Sequence, residues 1–165
     1  MCLQVADCTT QAYNRSPMSD DPLQPHSHDN NELPPNDDPT LIVIRPNGEQ
    51  TPYSLTTLAT LPQSQLTYSF STDHGTHGPY QLSGVALRDL IGQDAVGEIE
   101  VMSADGFGNR IFAEELGDGN RPILLCTHSD GQPLRRENGL VRLVVPSETD
   151  NALRQIKWVR SVRLI

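Results

Sequence analysis

The 165-residue sequence predicts an α+β fold with a mixed, β-rich core. Three observations carry that expectation. Leu66, Tyr68 and Phe70 alternate with Thr67, Ser69 and Ser71, the period of a strand with one buried face. Several other short aliphatic runs are each closed by Gly, Pro, Asn or Asp, the punctuation of strands and turns. Helical spacing is confined to a few short stretches that do not alternate regularly with the strands.

In chain order, Leu41-Ile42-Val43-Ile44 predicts a strand, and Pro46-Asn47-Gly48 a turn. Ser54 is placed to cap a short helix through Leu55, Leu58 and Ala59, which Pro62 ends. The alternating strand follows. It leads into Thr72-Asp73-His74-Gly75-Thr76-His77-Gly78-Pro79, expected to be a loop because proline is its sole apolar side chain. Leu87, Leu90 and Ile91 share one helical face in 85–91, and Gly92 stands at the stop position. Residues 99–102 and 109–112 flank Asp105-Gly106-Phe107-Gly108 and predict a hairpin. Glu114 to Leu116 predicts one helical turn. Residues 123–127 and 140–145 predict strands around the loop 129–133, and 158–164 a last strand. The expected total is about seven strands and two or three short helices.

Charge divides the chain. The formal net charge is −9, yet residues 1–40 hold seven acids against one base, so −3 remains for the rest. Six of the thirteen prolines lie in the same forty residues. A segment so acidic and so poor in aliphatic residues cannot bury enough surface to offset its ordering entropy. Residues 1–40 are therefore expected to be a disordered tail and 41–165 the folded domain. The acidic total argues against nucleic acid as a partner. No apolar run is long enough for a membrane helix, and the start lacks the basic and apolar regions of a secretory signal. As written, the chain is expected to be soluble and not exported.

Cys2 and Cys8 fall in the tail, and Cys126 in the run Ile123-Leu124-Leu125-Cys126. No CxxC pair supports a zinc site, and Cys126 reads as a small buried hydrophobe. Neither a GxSxG elbow nor a helical HExxH motif occurs, which leaves hydrolase readings poor.

Six blocks, in register, resemble the molybdopterin-binding oxidoreductase domain of the sulfite oxidase superfamily. They are SLTTLATLP (54–62), LSGVALRDLI (82–91), MSADGFGNRIF (102–112), ILLCTHSDGQPL (123–134), NGLVRLVVP (138–146) and IKWV (156–159). The resemblance spans residues 52–165 and implies the β-rich α+β fold of that superfamily. It implies a molybdopterin cofactor, an oxidoreductase activity and an electron-transfer partner. It also implies a cysteine that ligates molybdenum at the end of the strand after Pro62. An ungapped count places Thr72 there, and no cysteine lies between Cys8 and Cys126. A hydroxyl is a hard, poor substitute for a thiolate. Three readings stand open: a cofactor held without a protein thiolate, a different ligand in the same pocket, or a structural relative.

The candidate residues follow from both lines. Thr72, at the position of the metal-ligating cysteine, is the candidate catalytic residue. Asp73, His74 and His77 gather a carboxylate and two imidazoles at the edge of the implied pocket, where they could bind a metal or an oxyanion. The bland alternative is a solvated polar loop. No metal-ligand set is assigned. Residues 135–163 hold seven bases against three acids, a composition suited to anions. Within it, Arg142 and Lys157 match the arginine and lysine of the resembling blocks and are expected to hold the cofactor phosphate. Outward-facing strand arginines paired to surface acids are the alternative. Asp105 is a pocket candidate by resemblance, although Asp-Gly between strands needs no reason beyond the turn. The competing function is a non-catalytic module that binds a small anion or a protein.

Overall fold

The computed structural model describes residues 38–92, 94, 97–149 and 153–165. The tail expected over 1–40 lies, up to residue 37, outside the described residues.

The first sheet orders its strands β2-β1-β10-β5-β6. These are β1 (Leu41–Ile44), β2 (Gln50–Tyr53), β5 (Glu98–Ser103), β6 (Gly108–Phe112) and β10 (Val159–Leu164). The β1–β10 pair is parallel and the other pairs are antiparallel, so the sheet is mixed. The second sheet runs β3-β4-β7-β8, with β9 also on β7. Its strands are β3 (Gln63–Thr72), β4 (Gly75–Ala86), β7 (Leu124–Ser129), β8 (Gln132–Pro133) and β9 (Arg142–Val144). Two short helices, α1 (Leu55–Thr60) and α2 (Leu87–Ile91), and two 3-10 turns (Ala113–Gly117 and Arg136–Asn138) complete the described fold.

Local chemistry explains most boundaries. Ser54 caps α1 by accepting a bond from the Thr57 backbone N–H at 3.1 Å, a contribution of about 1 kcal/mol. Gly92 closes α2 with φ +70°, a conformation that side chains with a Cβ rarely adopt. The hairpin expected around Asp105-Gly106 forms, and Gly106 takes φ +91° at its turn.

Three expectations are corrected. The stretch Thr72 to Pro79 is no loop: β3 and β4 continue through it as a two-stranded ribbon, and Asp73-His74 make the turn. Strand β7 pairs only with residues 82–86 of β4. Pro79 therefore sits where one side of β4 has no ladder to interrupt, next to a register shift between Tyr68 and Phe70. The helix expected over 85–91 begins only at Leu87, because Val85 and Ala86 still belong to β4. Strand β2, with Pro52 inside it, was not expected from its sequence; it lies at a sheet edge, where proline is tolerated.

The main core lies on one face of both sheets and includes Leu41, Val43, Val85, Leu87, Ile99, Val101, Ile111, Leu125, Leu143 and Val162, each fully buried. The opposite face of the second sheet carries a smaller cluster of Leu66, Tyr68, Leu82, Leu124, Cys126 and Val144. Strand β7 thus feeds alternate residues to two cores, which is why it reads as one unbroken apolar run.

An ion pair ties the segment before β10 to the first sheet. Arg154 grips Glu115 through two bonds of 2.6 and 3.1 Å and donates to the Arg110 carbonyl at 2.8 Å. The guanidinium holds the Glu115 carboxyl below its ordinary pKa, against a smaller opposing effect of burial. A carboxyl lowered on folding stabilises above its unfolded pKa, and that stability is lost as pH falls through the folded value. Glu115→Gln is expected to cost about 1 kcal/mol at pH 7, reading the pair as a partly exposed one. The difference between variant and parent in urea midpoint should shrink as pH falls below the ordinary carboxylate range, through the lowered Glu115 pKa.

Candidate functional site

The second sheet's outer face is not fully covered. Over it lies a cleft of about 290 Å³, near the lower limit of small-molecule pockets. Tyr68, Phe70 and Tyr80 form an aromatic wall, with Phe70 stacked between the other two rings at centroid distances of 5.9 and 6.4 Å. Leu82, Cys126 and Val144 form the floor, each reached by period-2 alternation along β4, β7 and β9. The polar lining comes from Arg142, Asn138, Gln155 and Ser129.

Arg142 is the charged centre of this cleft. It pairs in register with Cys126, which places it among apolar neighbours, and burial pulls its pKa below the usual value. A guanidinium stays charged even so. Its Nε is buried and makes no hydrogen bond among the described residues. Gln155 lies beside the Tyr68 hydroxyl, which itself donates to the Glu148 carbonyl. The Gln155 Nε2 is likewise buried with no bond of good geometry. An unpaired guanidinium N–H is costly in an apolar setting, and an acceptor-bearing ligand in the cleft would satisfy the Arg142 Nε.

The expected site residues are brought together only in part. Arg142 alone lines the cleft. Lys157 stands close enough for the Arg142 charge to lower its pKa, after the larger effect of burial. Its Nζ donates to the Glu137 carbonyl at 3.1 Å, on the turn that carries Asn138. His77 reaches the rim by stacking on Phe70 at 5.1 Å. Thr72 bonds the His77 Nε2 at 3.0 Å and accepts from the His74 backbone N–H at 3.2 Å, so its hydroxyl serves the ribbon end. Asp73 and His74 are exposed at the turn, outside the cleft lining. Asp105 belongs to the other sheet, where its carboxylate accepts from the Phe107 N–H at 3.2 Å; that is turn chemistry.

The residues that sequence reasoning missed are the aromatic wall, Asn138 and Gln155. The signal for the wall was present, because Tyr68-Phe70 and Tyr80-Leu82 lie on one strand face. It reads equally as core.

Cys126 is fully buried, as expected, and touches the cleft floor. Its thiol donates to the His128 carbonyl at 3.1 Å, and burial pushes its pKa up to about 11. Native protein is expected to leave Cys126 unalkylated by iodoacetamide at pH 8, with modification only after unfolding; peptide mass mapping checks this.

The described fold is a mixed two-sheet α+β domain with an arginine at the base of an aromatic cleft. The comparisons specify it. Residues 47–165 match the family described as oxidoreductase molybdopterin binding domain, and the chain belongs to that family. The solved sulfane dehydrogenase SoxCD from Paracoccus pantotrophus shares the fold, with a TM-score of 0.64 at 20% identity. The match covers 76% of this chain and 37% of that one, so this chain spans well under half of its length. No curated protein matches the chain.

The residues fit the family's cofactor unevenly. The organic part fits, because a pterin ring would meet the aromatic wall and its phosphate the Arg142 guanidinium. Among the described residues, no thiolate fits the metal. Cys126 is a protonated donor in a core strand, and no cluster of three metal-ligating side chains occurs among the described residues. No described helix is long and apolar enough to cross a membrane.

Proposed function

We propose that this domain binds molybdopterin in the Arg142 cleft and holds it without a thiolate from the protein. The observation that carries the reading is the buried, unpartnered Arg142 Nε beside three aromatic rings. Arg142 would pair with the anionic group, and Lys157 would add positive charge at the rim. Tyr68, Phe70 and Tyr80 would stack against the ring system and exclude water. When bound, molybdenum on such a cofactor supplies oxygen-atom or electron transfer. An oxidoreductase role and an electron-transfer partner follow only if the metal is retained. Thr72 would then lie outside the metal's coordination, with its hydroxyl kept by His77 and His74.

The test is expression in a host that makes the cofactor, then measurement of pterin fluorescence released on denaturation and of bound molybdenum. Pterin near one equivalent per chain is the expected result, and absence of pterin would overturn the reading. The second reading, a non-catalytic module for a small anion, is favoured by the lack of a thiolate among the described residues. Thermal stabilisation by phosphate or sulfate in pterin-free protein would support it.

A further inference from the structure

The charge and shape of the Arg142 cleft narrow its ligand further than to an anion. Among the described residues that line it, Arg142 is the one charged side chain. No carboxylate figures among the charges that act on the guanidinium, and its Nε is buried without a partner. Lys157, the nearest second cation, is not part of the lining and donates to the Glu137 carbonyl at 3.1 Å. A monoanion seated inside the cleft is therefore matched by Arg142 alone. A phosphate dianion needs the second charge at the rim, since an unmatched charge against apolar walls is costly. A carboxylate suits Arg142 in shape as well, because its two oxygens accept two parallel bonds from the planar guanidinium fork.

The remainder of the cleft favours a flat apolar body. Tyr68 pairs across the ribbon with Tyr80, and the rings on either side of Phe70 are tilted from it by only 25° and 28°. His77 extends the row, 20° from the plane of Phe70. The floor of Leu82, Cys126 and Val144 offers no charge. A volume of about 290 Å³ holds one ring system within these walls. An acid as small as acetate would leave the rings wet. An aryl acid gains apolar burial and ring stacking from the same surfaces.

We propose that the cleft of the pterin-free domain binds a flat aromatic monocarboxylate, with the carboxylate on Arg142 and the ring against Phe70. The proposal deepens the small-anion reading above by naming the ligand class; it rests on Arg142 as an anion site and not on the pterin.

Three probes separate the two halves of this recognition. Benzoate carries ring and charge, acetate lacks the ring, and benzamide lacks the charge. Full-length protein from a host unable to make the cofactor is titrated with each at pH 7, and binding is followed by NMR of the probe. Benzoate should bind roughly 10-fold or more tightly than acetate, through ring burial and stacking. It should bind roughly 10–100-fold more tightly than benzamide, through the bond between its charge and the guanidinium. Arg142→Met should erase the preference for benzoate over benzamide. Phe70→Leu should weaken benzoate by roughly 3–10-fold and leave acetate unchanged. The comparison of probes on the parent protein stands even if a variant fails to fold. Absence of benzoate binding, equal affinity for benzoate and acetate, or equal affinity for benzoate and benzamide would each overturn the proposal. Pterin is measured on protein from a cofactor-making host, so the two readings fail separately. Pterin without benzoate binding leaves the cofactor reading alone standing, and benzoate binding without pterin leaves the carboxylate site alone.

Discussion

Gly84→Ala is expected to unfold the domain or to lower its stability by about 3 kcal/mol or more, the upper range for a single substitution. Strand β4 crosses β7 at this residue so closely that an added Cβ would stand 2.1 Å from the Leu125 carbonyl oxygen. Two further backbone atoms, Cys126 Cα and the Leu125 carbonyl carbon, would lie 2.9 Å away. All three obstacles are main chain, so no rotamer change relieves them. Relief requires parting β4 from β7 at the register shift between Ser83 and Gly84. Val85 and Leu125 on one face of that pairing belong to the main core, while Leu82 and Cys126 on the other belong to the cleft floor. Separation would open both clusters at once. Gly97→Ala is the control, because its added methyl would meet nothing within 4 Å. Urea midpoints should place Gly97→Ala within about 0.5 kcal/mol of the parent, as for an ordinary surface change. If Gly84→Ala matched it, the close approach of β4 and β7 would be wrong.

That crossing also shows where sequence reading succeeds and fails. Local signals are strong where one side-chain period or one cap decides the element. Leu66 to Ser71 alternates cleanly and forms the middle of β3. Ser54 and Pro62 bracket α1. Asp105-Gly106 turns between β5 and β6. The signals fail where a neighbour decides. Gly75 to Pro79 carries two glycines and a proline and looks like a loop, yet pairing with β3 makes it strand. Gln50 to Tyr53 has no apolar alternation and becomes a strand because β1 offers an edge.

The site follows the same division. Arg142 was picked out by its block's resemblance to the family, and it lines the cleft. The aromatic wall was not. Tyr68 and Phe70 show the alternation of a buried face, but whether another layer covers that face is a tertiary fact. The loop histidines drew attention as chemistry-bearing residues in a glycine-containing stretch. The ribbon turn instead leaves His74 exposed and ties His77 to Thr72 and Phe70. Spacing along the chain says little about sites assembled from four strands and the turn before β10.

Arg142→Met is expected to move binding and stability in opposite directions. In the ligand-free protein, Arg142 is a buried cation whose Nε has no partner, among Cys126, Tyr68 and Tyr80. Such a group carries a desolvation cost that is not offset at its Nε. Methionine fills similar volume without that cost, so thermal unfolding of the ligand-free variant should occur at the parent's temperature or above. For an anionic pterin the same change removes the charge-assisted contact and leaves the ligand's anion facing an apolar floor. A loss of about 3 kcal/mol is expected, the upper range for hydrogen bonds to charged groups, which is ~100-fold in dissociation constant. Arg142→Lys should recover only part of it, because an ammonium lacks the planar fork that meets an oxyanion with two bonds. Reconstitution with released molybdopterin, followed by pterin fluorescence, measures the affinity, and calorimetry of the same samples measures the stability. A variant that lost stability and kept its affinity would make Arg142 a structural residue and remove the anionic contact on which the cofactor reading depends.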